Sequence, residues 1–210
     1  MITTDNYKTL DDAYSYFNKK LFDDKLPDCI ITFQRQSRTL GYYHHEKFEE
    51  RDAKNKISEI ALNPDHFKEQ TDMDILDTLV HEMVHLLQWY FGEPSRKGYH
   101  NKEWGTMMKS IGLYPSSTGE PGGKETGQTV SDYVISGGKF EIVCGAFLLK
   151  NSLKWNSLPV VKVLKDEVKN KTREKYCCPK CFLNVWGKKN IKIICGECKI
   201  KMEIEKENDW

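Results

Sequence analysis

The pentapeptide His81-Glu82-Met83-Val84-His85 carries chemistry in its spacing. Side chains at i and i+4 of a helix lie together on one face. Both imidazoles can therefore bind one zinc, with Glu82 on the adjacent flank placed to take a proton from a water on that metal. A catalytic zinc needs three protein ligands and an open position. His100 is the candidate third ligand, because it follows a break at Gly92 to Gly98 and opens a new helix. The 14 residues between His85 and His100 exclude the compact HExxHxxGxxH arrangement. Glu103, just beyond His100, is the alternative. Chemistry of this kind hydrolyses peptide bonds, with Glu82 as general base and then as proton donor to the leaving amine. The competing reading is two surface histidines on a helix, and the flanking Leu79, Val80, Leu86 and Leu87 argue that this helix is packed.

The elements that must position these groups are legible in part. Thr71 with Asp74 three residues on is a capping-box start, and no Gly or Pro interrupts the chain until Gly92. A helix of roughly five turns is predicted there, followed by a shorter one from about Asn101 to Ile111, ended by Gly112. An amphipathic helix is predicted over Thr9 to Phe22, with Thr9 as N-cap. Strands are predicted at Cys29 to Phe33, 40–48 and 57–62. Residues 114–139 hold six glycines and two prolines and read as loops without regular structure. A loop of that length in a compact protein suggests function. It is expected to border the substrate cleft, with Tyr114 or Tyr133 as candidate oxyanion donors. Residues 140–165 read as β-type.

A second constellation lies near the C-terminus. Cys178-Pro179-Lys180-Cys181 and Cys195-Gly196-Glu197-Cys198 are two CxxC pairs 13 residues apart, the pattern of a zinc ribbon whose metal is held tetrahedrally by cysteines alone. Only Cys178 gives the two-residue spacing to Cys181, which leaves Cys177 aside. With four ligands filled, this zinc is structural and supplies most of the folding free energy of a module too small for its own core. The remaining candidates are weaker. His44 and His45 are adjacent in a strand and face opposite ways. His66 reads as a surface residue after a turn, and Cys29 and Cys144 as core residues in apolar strands.

The order and spacing of several blocks resemble the SprT-like, Spartan-type family of zinc metallopeptidases. The blocks are Phe17 to Phe22 with Leu26-Pro27, Glu59 to Asn63, His81 to Gln88, and His100 to Trp104 with Met108. Asn101 departs from the Gly that usually follows the third histidine, at a position beside the ligand. The resemblance implies a zincin-like α+β domain, here placed at 1–165, with the ribbon at 170–204. It also implies DNA-dependent cleavage of DNA-associated or DNA-crosslinked proteins, a role in DNA repair.

Charge bears on the partner. Residues 1–161 carry 19 Lys/Arg against 23 Asp/Glu (net −4), and residues 162–210 carry 13 against 8 (net +5). The basic end suits single-stranded or damaged DNA, through Lys188, Lys189, Lys192, Trp186 and Tyr176. The alternative is a cap whose lysines face water. The N-terminal residues lack a secretory signal and no stretch is long enough to span a bilayer. A cytoplasmic monomer, nucleoid-associated if bacterial, is the expectation. Two rivals stand beside the protease: a DNA-binding adaptor without proteolysis, which would not need Glu82, and a peptidase with a dedicated non-DNA substrate.

Overall fold

A computed structural model describes residues 2–52, 55–155 and 173–204. The chain divides into two compact units, Met1–Val160 and Val161–Trp210. The expected boundary near 165–170, and the β-type run Val160 to Val163, lie outside the described residues.

In the first unit, helix α1 spans Ile2–Leu21 and buries Leu10, Ala13, Tyr14 and Phe17 on one face. It starts earlier than the sequence predicts. Thr9 is not its cap but an interior residue, whose hydroxyl donates back to the Asp5 carbonyl at 3.1 Å. Strands β1 (Cys29–Phe33), β2 (Gly41–Glu49) and β3 (Lys56–Leu62) form a mixed sheet in the order β1-β3-β2. β1 runs parallel to β3 and β2 antiparallel to it, so β2 is an edge strand. Helix α2 (Asp72–Phe91) packs on β2 and β3. The Thr71 and Asp74 capping box forms as the spacing predicts, satisfying amides that the first turn would otherwise leave unpaired. Helix α3 (Lys102–Ile111) starts at an Asn101 cap and stops at Gly112 in the left-handed region.

Two stretches differ from the sequence reading. Within 114–139, β4 (Leu113–Ser116) and β5 (Ser131–Val134) pair antiparallel, with Tyr114 opposite Tyr133 and Pro115 opposite Asp132. Four-residue strands, one carrying a proline, leave little periodicity to read. Residues 139–148 are a helix, α4 (Lys139–Leu148), not a strand. Its buried residues Phe140, Cys144 and Phe147 recur at helical spacing, while the β-branched Ile142 is exposed. Cys144 is thus a core residue of a helix. Rings of Phe140 and Phe147 lie 6.0 and 5.8 Å from Phe17 of α1, which fastens α4 to the core.

The second unit is a small sheet of β6 (Arg173–Cys177), β7 (Asn184–Lys188) and β8 (Glu203–Ile204), in the order β7-β6-β8. Its core holds Tyr176, Cys178, Cys195 and Met202. Among the described residues, no helix is long and apolar enough to cross a membrane.

Gly112 joins α3 to β4 with φ at +95°, and a Cβ there would lie 2.7 Å from the amides of Lys139 and Phe140. Gly112→Ala is expected to cost more than about 2 kcal/mol, measured as a lowered denaturation midpoint of the first unit. An unchanged midpoint would contradict this packing.

Candidate metal centre and cleft

α2 presents His81 and His85 on one face, and the loop after Gly92 returns His100 to meet them. One ring nitrogen from each of the three lies within 4.8 Å of the others, and the Nε2 atoms of His85 and His100 are 3.1 Å apart. Beneath them Trp104 is fully buried, its ring centroid 4.9, 5.2 and 4.3 Å from those of His81, His85 and His100. The indole is a rigid floor that stops the imidazoles from sinking into the core.

The glycine-rich region fixes two of the three rings. His81 Nδ1 donates to Asp132 Oδ1 at 2.6 Å. His100 Nδ1 faces the Gly127 carbonyl at 3.3 Å, and the His100 and Gly127 backbones exchange two hydrogen bonds. With Nδ1 engaged in both, Nε2 is the lone pair left to face the centre. Gln128 Nε2 donates to the Lys97 and Gly98 carbonyls, tying down the approach to His100. Glu103, the alternative ligand, is occupied elsewhere. Its carboxylate accepts from Gln88 Nε2 at 2.7 Å and from the Glu93 amide at 2.8 Å. Asn101 both caps α3 and accepts from Gln88 at 2.8 Å, so the departure at this position serves the loop that carries His100.

Glu82 is buried beside the histidines and accepts from the Tyr43 amide on the free edge of β2. Gly41 makes room for it: a Cβ there would lie 2.8 Å from Thr78 Cγ2 and 3.3 Å from Glu82 Oε1. Burial pushes the Glu82 carboxyl up to about 7, against the pull of His81. Burial, with help from neighbouring His81, lowers His100 to about 4 and holds His85 well below its ordinary value. For His81 burial also opposes the charged form, but the bond to Asp132 and its charge outweigh it and raise the group.

The site opens on a cleft of about 1140 Å³. Its walls include the β2 edge from Gly41 to His45, the 94–100 loop, and Thr129 to Asp132. The expectation that the glycine-rich region borders the cleft is met, but not by its tyrosines. Tyr114 and Tyr133 stack on one another 5.2 Å apart, Tyr114 donates to Glu125, and neither lines the cleft. His44 and His45 lie on the cleft wall outside the histidine cluster, with His45 stacked on Trp89. His66 is half-buried in a 3-10 turn away from it, and Cys29 is half-buried in β1. Asp132, Gly127 and Gly41 escape the sequence reading. For Asp132, no local signal connects it to a histidine 51 residues away.

In the second unit the sulfurs of Cys178, Cys181, Cys195 and Cys198 gather within the same 4.8 Å limit. The two knuckles repeat one another, the residue after each pair donating back to the first cysteine's carbonyl: Phe182 to Cys178 and Lys199 to Cys195, both at 2.9 Å. Backbone amides of Cys181 and Lys180 draw the Cys178 thiol down to about 7, while the hydrogen bond with Cys181 holds Cys198 up to about 12. Four thiolates this close repel one another unless a cation sits between them. Cys177 lies outside the cluster. Tyr176 is not part of the ribbon's surface: it is buried, and its hydroxyl donates to the Lys188 carbonyl.

Three nitrogen donors with a cleft above them, and four sulfur donors closed on themselves, both suit zinc. A mixed α+β domain with two of these histidines on a long helix and the third returned by a loop is a zincin-like, metallopeptidase-type domain. Residues 10–121 match the SprT-like family, and the chain belongs to it. It is 43% identical over 58 residues to an uncharacterized protein in the mucB 3′ region of Salmonella typhimurium, covering 28% of this chain and 78% of that protein. It is 46% identical over 54 residues to Protein SprT of Salmonella arizonae and to that of Salmonella newport, covering 25% of this chain and 31% of each. The match therefore spans under a third of those SprT proteins.

A pH dependence follows for the metal-free protein. His85 and His100 are neutral in the fold and bind protons on unfolding below about pH 6.5, which costs stability as pH falls. Glu82, held up to about 7, and the raised His81 and Asp77 hold protons more tightly in the fold and add stability over the same range. By pH 5 His100 alone accounts for a loss of about 2 kcal/mol and Glu82 for a gain of similar size. Chelator-treated Glu82→Gln, which lacks the compensating carboxyl, should lose melting temperature more steeply between about pH 7.5 and 5 than the parent chain. Parallel profiles in the two proteins would contradict the burial of Glu82.

Proposed function

We propose that the chain is a zinc-dependent endopeptidase acting on proteins associated with DNA. The observation that carries the first part is the juxtaposition of Glu82 with three converging imidazoles at the floor of an open cleft. A zinc ion held by His81, His85 and His100 would supply Lewis acidity, lowering the pKa of a water toward neutrality and polarising a substrate carbonyl.

The chain's own residues do the rest. β2 is the edge strand of its sheet and its Gly41 to His45 stretch borders the cleft, so an extended substrate segment can lie along it and across the histidines. The Tyr43 amide and Gly41 hold the Glu82 carboxylate in place. Glu82 takes the proton of the attacking water and passes it to the departing amine. Buried Trp104 and Val130 keep bulk water from the floor of the site. Glu82→Gln should leave the fold and zinc content intact and lower proteolysis by about 10²–10⁴-fold. Self-cleavage and cleavage of a DNA-bound protein, with and without single-stranded DNA, are the readouts. Equal activity of the two proteins would overturn the assignment.

The second part rests on the ribbon. Lys188, Lys189 and Lys192 are exposed on it with Trp186, which is 64% accessible. Lysines neutralise phosphates and an open indole stacks on a base. Replacing the three lysines by alanine should weaken single-stranded DNA binding and reduce the log–log salt slope by about 0.7 per lost phosphate contact. Trp186→Ala should cost a further ~1–3 kcal/mol. DNA affinity unmoved by either change, with proteolysis intact, would favour a peptidase with a dedicated non-DNA substrate.

A further inference from the structure

Beyond the histidines the cleft carries an aromatic platform that the proposed reaction leaves unused. Trp89 follows His85 by four residues, as His85 follows His81, so the three share one stripe of α2. The Trp89 side chain lines the cleft and the residue is 42% exposed. One face of its indole is covered by the His45 ring, with 3.9 Å between centroids and 28° between planes. The Tyr90 ring meets the same imidazole edge-on at 5.9 Å. His45 is held for this contact. The register of β2 on β3 shifts between His44 and Phe48, and Glu46 takes a φ of +42°. Such a break re-aims a side chain, and a non-glycine residue at that φ costs free energy of the kind that gathers at ligand-binding sites. The Glu46 amide donates to Ser58 Oγ at 3.3 Å. The Tyr43 hydroxyl lies 3.4 Å from His45 Nδ1, and Glu46 Oε1 lies 3.4 Å from Nε2.

We propose that Trp89, backed by His45, is a specificity subsite that receives an aromatic side chain of the substrate two residues from the bond to be cleaved. This inference rests on the reading of the cleft as a peptidase site. The position follows from the strand. Side chains on one face of β2 recur every second residue, roughly 7 Å apart, and His45 lies two residues beyond Tyr43, whose amide meets Glu82. A segment lying along β2 with its bond beside Glu82 therefore brings a side chain to the platform. The chemistry follows from the surroundings. An indole with one face already stacked offers a second ring an offset or edge-on partner, and its orientation is fixed before binding, which lowers the entropic cost. An indole face also attracts cations, but Arg96 and Lys97 are exposed on the 94–100 loop that lines the same cleft, and they oppose a lysine or arginine there. A nucleic-acid base is the poorer occupant, because residues 1–161 carry a net charge of −4, which repels a phosphate strand.

Cleavage of a mixture of unstructured peptides with randomised positions tests the subsite. The full zinc-loaded chain would be used with and without single-stranded DNA, and the cut positions read by mass spectrometry. Phe, Tyr and Trp are expected to be enriched over Ala two residues from the cut, on one side of it. In a matched pair of Phe and Ala peptides this should correspond to a kcat/KM ratio of about 10–100. Trp89→Ala is expected to bring that ratio to within about 3-fold of unity, and Trp89→Phe, which keeps a ring, to retain most of it. Should Trp89→Ala not fold, Trp89→Gln decides by the same ratio. A parental ratio in the ringless variant, no aromatic enrichment in the parent, or enrichment of Lys or Arg in its place would overturn the proposal. So would a loss of single-stranded DNA affinity in Trp89→Ala with the peptide ratio unmoved, which would put a base on the platform. A parent chain that cuts none of the peptides, with or without DNA, would instead overturn the peptidase reading, and the subsite with it.

Discussion

The Nε2 atoms of His85 and His100 face each other at 3.1 Å, a separation that is favourable only with a proton or a cation shared between them. One comes from a continuous helix and the other from beyond a 14-residue interval, so the chain must offset both electrostatic repulsion and loop entropy to keep them there. The first unit is organised around that requirement. The capped α2 fixes His81 and His85. Gln88 and Glu103 tie the return loop to α3. Gly127 pairs with the His100 backbone, and Trp104 limits how far the rings can move inward. Each device acts on a different degree of freedom, which is how a site with no metal-independent attraction of its own stays assembled.

The electrostatics follow from the same constraint. Burial keeps His85 and His100 neutral and therefore ready to donate lone pairs, while Asp132 raises the basicity of His81 alone. Glu82 sits on the opposite flank, restrained by the β2 edge rather than by an ion pair with a basic residue. A carboxylate held in this way keeps the capacity to accept and release a proton. The ribbon solves a different problem. Its four sulfurs crowd together and could hold a metal between them, while Lys188, Lys189, Lys192 and Trp186 stay exposed.

What is legible in the sequence is chemistry that demands local spacing. The HExxH helix, its capping box, the Asn101 and Gly112 ends of α3 and the paired CxxC knuckles are all short-range patterns. His100 is legible because a histidine after a helix break has few other roles in such a chain. The groups that complete the site are not: Asp132 and Gly127 act through tertiary contacts of the glycine-rich region, whose β4 and β5 strands are too short to show a period. At α4 the sequence misleads, since Ile142 and Val143 suggest a strand, although the buried spacing of Phe140, Cys144 and Phe147 is helical. Tyr176 keeps company with lysines and so reads as surface, yet the alternation of its strand places it inside. Thr9 has the chemistry of a cap but lies where the helix has already begun.

The central claim is that three histidines from two segments hold one metal, independently of the four cysteines. Native mass spectrometry of the zinc-reconstituted chain tests it most directly, by counting ions in the parent, in His100→Ala and in Cys195→Ser. The two donor sets predict two zinc ions in the parent and one in each variant. A parent that carries a single ion, with His100→Ala unchanged from it, would contradict the claim.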